Sequence, residues 1–344
     1  MPRLNTWLEQ LIARRGTDLH LSPNAPPTAR VDGRLASLEP RSLDDITVAR
    51  EVFNLLNPAQ TAAFDQTGNV VFAYQHDEAS IFRVHFTRCG QGYRAVFRHR
   101  AALPDPTALG IPSALLAATS RSSGLVLVTG RRAAGKRTTA ACLLNAIAAA
   151  QAIHIVSLES PSQMPVAPGR AHVTTREVGV HVNSLSEGLE SLRFENADVV
   201  FVGHLTPENS MAVLDLARSG PLVIGLLEAP DVLGALRILE THDPNRKNVR
   251  TMLAESLVAA SAQTLIHRDD RPGAICAFEL LLRDDTVTNA LANGALDEIW
   301  RHMGEASQSS STRFDRCMAK WVADGTLTNG AAQRALAGTE AGRL

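Results

Sequence analysis

Residues 124–140 read GLVLVTGRRAAGKRTTA. An apolar run, Leu125 to Val128, ends at Gly130, and four residues later Gly135-Lys136 follow. Strand, glycine loop, lysine and helix form the arrangement in which backbone N–H groups and a helix N-terminus cradle phosphate oxygens. The pattern next asks for a Ser or Thr hydroxyl, and Arg137 stands there instead. Thr138 offers a hydroxyl one residue late, about 100° further around the helix, which makes it a poor substitute. The stretch specifies the architecture of a phosphate loop and leaves its chemistry open. A strand–turn–helix that binds nothing is the plain alternative.

Outward from the loop, apolar strands alternate with helices. Leu125–Val128, Ile153–Leu158, Val199–Val202 and Leu222–Leu227 read as strands, with helices from Lys136, around Ser184–Phe194 and near Asn209–Arg218. Near-continuous apolar strands separated by helices predict a mostly parallel sheet covered on both faces. A mostly helical tail follows residue 285. The N-terminal part differs. A helical stretch over 4–15 precedes short strand-like pieces at Asp18–Ser22, Thr28–Val31, Val70–Tyr74, Ile81–Thr87 and Tyr93–Phe97, with a helix over Asp44–Leu56 among them. That mixture predicts a small α+β domain over 1–100. Residues 101–112, with Pro104, Pro106 and Pro112, read as a linker or stiff connection to a domain over 113–344.

Composition sets the outer limits. The net charge is −1, so no global field draws the chain to nucleic acid or anionic lipid. Residues 1–15 carry Arg3, Glu9, Arg14 and Arg15 and lack the long apolar core of a signal peptide. The longest uncharged segment, 138–156, contains Asn145, Gln151 and His154 and divides into a helix and a strand, so no membrane span is expected. Cys89, Cys142, Cys276 and Cys317 have no metal-type spacing, and the histidines form no HExxH pattern. No metal-ligating set is read from the sequence.

Several segments stand in a telling order: GTDLHLSPNAPPTARVDG (16–33), FRVHF and RAVFR within 82–98, SGLVLVTG (123–130), TREV (175–178), MLAESLVAASAQTLI (252–266) and FDRCMAKWVADGTLT (314–328). On these the chain resembles the PilT family of type IV pilus retraction ATPases, relatives of the type II secretion ATPases, over nearly all of residues 4–335. The resemblance implies a PAS-like N-terminal domain and a RecA-like P-loop ATPase domain. It also implies a cytoplasmic hexameric ring at the inner-membrane base of a pilus, where ATP hydrolysis drives pilin disassembly. An inner-membrane platform protein and further copies, or an intact PilT-like paralogue, are the implied partners.

Carried over position by position, the family's nucleotide loop is Gly130, Arg131, Arg132, Ala133, Ala134, Gly135, Lys136, Arg137 and Thr138. Lys136 would be the point charge on the β and γ phosphates. Arg137 cannot ligate Mg²⁺, so a magnesium cofactor is in doubt while ATP remains the expected ligand. The family has glycine where Ala133 stands. Its acidic box, I-E-D-P-x-E, appears as Leu158-Glu159-Ser160-Pro161-Ser162-Gln163: Glu159 survives, and the water-polarising carboxylate is Gln163. An amide orients water but accepts no proton at neutral pH.

In the Walker B-like strand Asp198 is retained and the family's glutamate is His204; it reads as a base or, more plainly, as a histidine closing a loop. The family's phosphate-sensing histidine is Glu228, a carboxylate that would repel a triphosphate. Two family arginines fall on Glu190 and Phe194, with Arg193 adjacent. Arg83 and Arg98 match basic positions that reach a neighbouring subunit's nucleotide in the family, or are simple strand-surface residues. With four catalytic positions replaced together, the expectation is a pocket that binds nucleotide with impaired or absent hydrolysis. An active retraction motor and a scaffold without nucleotide are the alternatives.

Overall fold

The computed structural model describes residues 3–31, 34–77, 80–100, 103, 105–160, 166, 169–241, 246–270, 273–305, 311–337 and 339. The chain divides into two compact units, with the change between residues 102 and 103.

Among the described residues the first unit is a six-stranded antiparallel sheet with helices on one face. Its elements are α1 (Arg3–Ala13), β1 (Asp18–Leu21), β2 (Thr28–Val31), β3 (Arg34–Ser37), α2 (Asp45–Phe53), α3 (Pro58–Thr67), β4 (Asn69–Gln75), β5 (Ile81–Cys89) and β6 (Gly92–Arg100). The strand order is β3-β2-β1-β6-β5-β4. Alternation puts Phe82, Val84 and Phe86 of β5, with Phe97 of β6, on the face that meets Trp7, Leu8 and Leu11 of α1. Phe64 stacks on Phe86 at 4.5 Å between ring centroids, which explains α3: its sequence is nearly featureless, and one buried phenylalanine anchors it. The α+β reading of this unit agrees with the structure, although the sequence did not show β3 or α3.

The second unit opens with α4 (Ser113–Ala118), β7 (Gly124–Gly130), α5 (Lys136–Ala150), β8 (His154–Glu159), β9 (His172–Glu177), α6 (Leu185–Ser191), β10 (Val199–Leu205), α7 (Pro207–Ser219), β11 (Leu222–Glu228), α8 (Val232–Glu240) and α9 (Arg246–Ser256). A hairpin of β12 (Leu257–His267) and β13 (Ala274–Leu282) follows, then α10 (Asp285–Asn293), α11 (Leu296–Gly304), α12 (Phe314–Ala323) and α13 (Asn329–Leu336). Among the described residues the sheet has seven strands, ordered β13-β12-β7-β11-β10-β8-β9, all parallel except β13. Every residue of β7 is buried, as a central strand with helices on both faces requires. The described part of 101–112 is packed rather than free-running: Ile111 is buried, and Leu103 and Leu109 lie against the same core as Leu115 and Leu143.

Strand direction positions the site. The C-terminal ends of β7, β8, β10 and β11 lie along one edge of the sheet, because Glu228 pairs with Gly130, Leu205 with Leu227, and Leu158 with Val202. Ligands of open α/β sheets bind beyond that edge.

Candidate functional site: a phosphate loop with an arginine in the metal position

The loop leaves β7 with Gly130 at φ 148° and turns through Ala133 at φ 63° and Gly135 at φ 88°. Glycine is required at 130, because a Cβ there would lie 2.5 Å from the carbonyl oxygen of Gln263. Ala133 does adopt the left-handed backbone that suits the family's glycine, at a cost of about 1 kcal/mol. Gly135 caps α5, whose helical N–H groups begin at Lys136.

Lys136 folds back on the loop. Its Nζ donates to the carbonyls of Gly130 at 2.7 Å and Arg131 at 2.8 Å. The Glu228 carboxylate lies 3.9 Å away. Burial lowers the Lys136 pKa; Glu228 opposes that shift and Arg137 adds to it. The Glu228 side chain is 55% exposed against 13% for Lys136, so solvent screens the pair and its net worth is at most about 1 kcal/mol. Arg131 donates from Nη2 to the Ala337 carbonyl at 2.6 Å, just beyond α13. Arg132 is exposed and Thr138 half-buried.

A residue not singled out in the sequence braces this loop. Gln263 of β12 is buried, and its Nε2 donates to the Ala134 carbonyl at 2.7 Å. Its one sequence signal is its place inside 252–266.

Arg137, in the first turn of α5, points Nη1 at Glu159 of β8, 3.9 Å from Oε2. The Glu159 side chain is fully buried, and Ser157 Oγ donates to its Oε1 at 3.1 Å. Gly203 makes room for it: a Cβ at 203 would stand 2.9 Å from Glu159 Cγ. Arg137 Nη1 is itself buried with no hydrogen-bond partner among the described residues. A fixed cation therefore stands where a metal-liganding hydroxyl would be, facing the surviving carboxylate. Arg137 offers only N–H donors, so it cannot be the oxygen ligand that a hydroxyl at this position gives Mg²⁺.

The remaining positions separate. His204, near the end of β10, is exposed, and its carbonyl accepts from Asn209 Nδ2 at 3.3 Å. Asp198 does not join the site. It precedes β10 at the opposite edge of the sheet, where its Oδ2 accepts from the backbone N–H of His154 at 2.8 Å; the seven residues of β7 put roughly 20 Å of strand between the two edges. Its hydrogen bond joins the starts of two strands, as its reading at the start of the Walker B-like strand places it. Gln163 lies outside the described residues. Arg193 is bound to Asp215 at 2.7 Å, and Phe194 is 87% exposed. In the first unit Arg83 and Arg98 are cross-strand partners, and Arg98 Nε donates to Asp18 Oδ1 at 2.7 Å. Burial alone would raise the Asp18 pKa, but hydrogen bonds from Thr17 and Arg98 hold it below the usual carboxylate value.

Residues 66–314 match the sequence profile of the Type II/IV secretion system protein family. The chain is 28% identical to the twitching motility protein of Neisseria gonorrhoeae over 90% of its own length and 83% of that protein's. It is also 28% identical to the type IV pilus retraction ATPase PilT of Pseudomonas aeruginosa, over 94% and 95%. The crystal structure of the pilus retraction motor PilT with bound ADP superposes with a TM-score of 0.88 at 26% identity, covering 96% of each chain. A RecA-like P-loop unit after a small α+β unit is the fold they share. The chain belongs to the type II/IV secretion system protein family, as a PilT-like member.

Proposed function

We propose that this chain is a PilT-like ring subunit serving type IV pilus retraction or twitching motility, and that it binds nucleotide while hydrolysing it poorly or not at all. The observation that carries this reading is Arg137 in the metal position, directed at Glu159. Backbone N–H groups from Arg131 to Lys136 and the start of α5 would hold the phosphates, with Lys136 released from the Gly130 and Arg131 carbonyls to meet them. Bound nucleotide would supply charge and adenine contacts, not turnover. Glu159 is taken up by Arg137 and Ser157, and the exposed His204 stands where the family has a glutamate. Loss of a general base typically costs about 10²–10⁴-fold in rate.

The pocket is tested by calorimetry with ATP and ADP, in Mg²⁺ and in chelator. Binding that changes by less than tenfold on chelation is expected, tenfold being about 1.4 kcal/mol. Binding lost on chelation would overturn the reading. For the ring, a heterologous interface lets a silent subunit complete an assembly of copies or of intact PilT-like relatives at a pilus platform. Co-expression with such a relative and native mass measurement should give mixed rings. Strict monomers with no co-purification would exclude that role.

A further inference from the structure

We infer that the loop selects a metal-free nucleoside diphosphate over the triphosphate, and that Glu228 sets this preference. The inference rests on the nucleotide-binding reading above and names what that site takes. Glu228 ends β11 in register with Gly130, so its carboxylate stands beside the first residue of the loop. Its Oε1 is 3.9 Å from Lys136 Nζ. Once Lys136 leaves the Gly130 and Arg131 carbonyls to meet phosphate, the Glu228 carboxylate remains beside it and competes for its three donors.

The first two phosphates of a nucleotide meet loop N–H groups and the α5 N-terminus, which tolerate any phosphate oxygen. A third must approach the lysine where Glu228 already stands, and it brings one further negative charge. In an ordinary P-loop a divalent ion bridges the last two phosphates and removes that repulsion. Here Arg131 is turned to the Ala337 carbonyl, Arg132 is exposed, and Arg137, with its single charge, already faces Glu159 at 3.9 Å. Lys136 and Arg137 together suit a diphosphate. They leave the terminal phosphate of a triphosphate facing the Glu228 carboxylate. Because Glu228 is half exposed and forms no part of the core, its exchange is compatible with an intact fold.

The test is calorimetry with ADP and with ATP in chelator, on the full chain and on Glu228→Gln. ADP is expected to bind at least tenfold more tightly than ATP. Glu228→Gln is expected to raise ATP affinity about tenfold, to move ADP affinity by less than threefold, and to leave the melting temperature in place. ATP binding as tightly as ADP, or Glu228→Gln shifting both alike, would overturn the inference while nucleotide binding stands. If neither nucleotide binds and Lys136→Ala changes nothing, the nucleotide-binding reading fails, and this inference with it.

Discussion

Gly130, Ala133 and Gly135 hold the phosphate-loop backbone, braced by Gln263 from β12. Beside it stand Arg137, His204 and Glu228, at positions where the family resemblance implies a hydroxyl, a glutamate and a histidine. The first region is fixed by packing. A Cβ at Gly130 would collide with a buried strand, and Ala133 accepts a left-handed backbone sooner than let the loop change course. The second region consists of side chains at two strand ends and in the first turn of α5, where exposure or a spare hydrogen bond accommodates many residue types. Glu228 is 55% exposed, and Arg137 satisfies part of its charge against Glu159. Packing thus fixes the backbone of the loop and leaves the side chains beside it free to vary.

The sharpest way to break this comparison is Gly130→Ala. Left-handed strain of about 1–3 kcal/mol and overpacking of about 1–3 kcal/mol should combine to lower stability in denaturant unfolding by roughly 2–6 kcal/mol and abolish phosphate binding. An unchanged midpoint would mean that packing does not fix the loop.

Next comes Glu279 of β13, which is fully buried and accepts from the N–H of Val232 at 2.8 Å, holding the start of the helix that follows Glu228. Burial raises its pKa from 4.5 to about 8, with Asp231 and Asp315 adding to the shift. A carboxyl group raised in this way binds a proton in the folded chain that the unfolded chain has lost. Stability should therefore fall as pH rises from about 4.5 toward 8, by about 1.4 kcal/mol per unit. Glu279→Gln should flatten that slope in melts between pH 5 and 8.5, whereas parallel slopes would place the pH dependence elsewhere. Gln263→Leu leaves the buried Ala134 carbonyl without its donor and should cost about 1–3 kcal/mol in the same unfolding measurement. Ala133→Gly should change stability least, a gain of about 1 kcal/mol or less, since relief of left-handed strain is offset by entropy of the unfolded chain.

The loop was legible because its strand is apolar without interruption and its glycines fall where backbone geometry needs them. The hairpin β12–β13 was not. Residues 252–266 run from α9 into β12 with no Gly or Pro between Met252 and Ile266, so periodicity shows no boundary, and pairing with β7 decides it. Gln263 was hidden for a related reason. A glutamine in a strand reads as solvent-facing, and its partners, the Ala134 carbonyl 129 residues earlier and Cys276 Sγ across the hairpin, come from the fold. Asp198 shows the opposite case. It was read at the start of a strand whose end carries His204, and the length of that strand is what separates them. Arg137 was visible as a replacement, but its direction toward Glu159 depends on β8 lying two strands away from β11 across β10, which sequence order does not reveal.

The central claim is that the cradle persists without the chemistry. Phosphate release from ATP in Mg²⁺, measured for the full chain beside Lys136→Ala, tests it most directly. The account predicts equal rates, both at the background of the assay. Mg²⁺-dependent turnover that Lys136→Ala abolishes would contradict it.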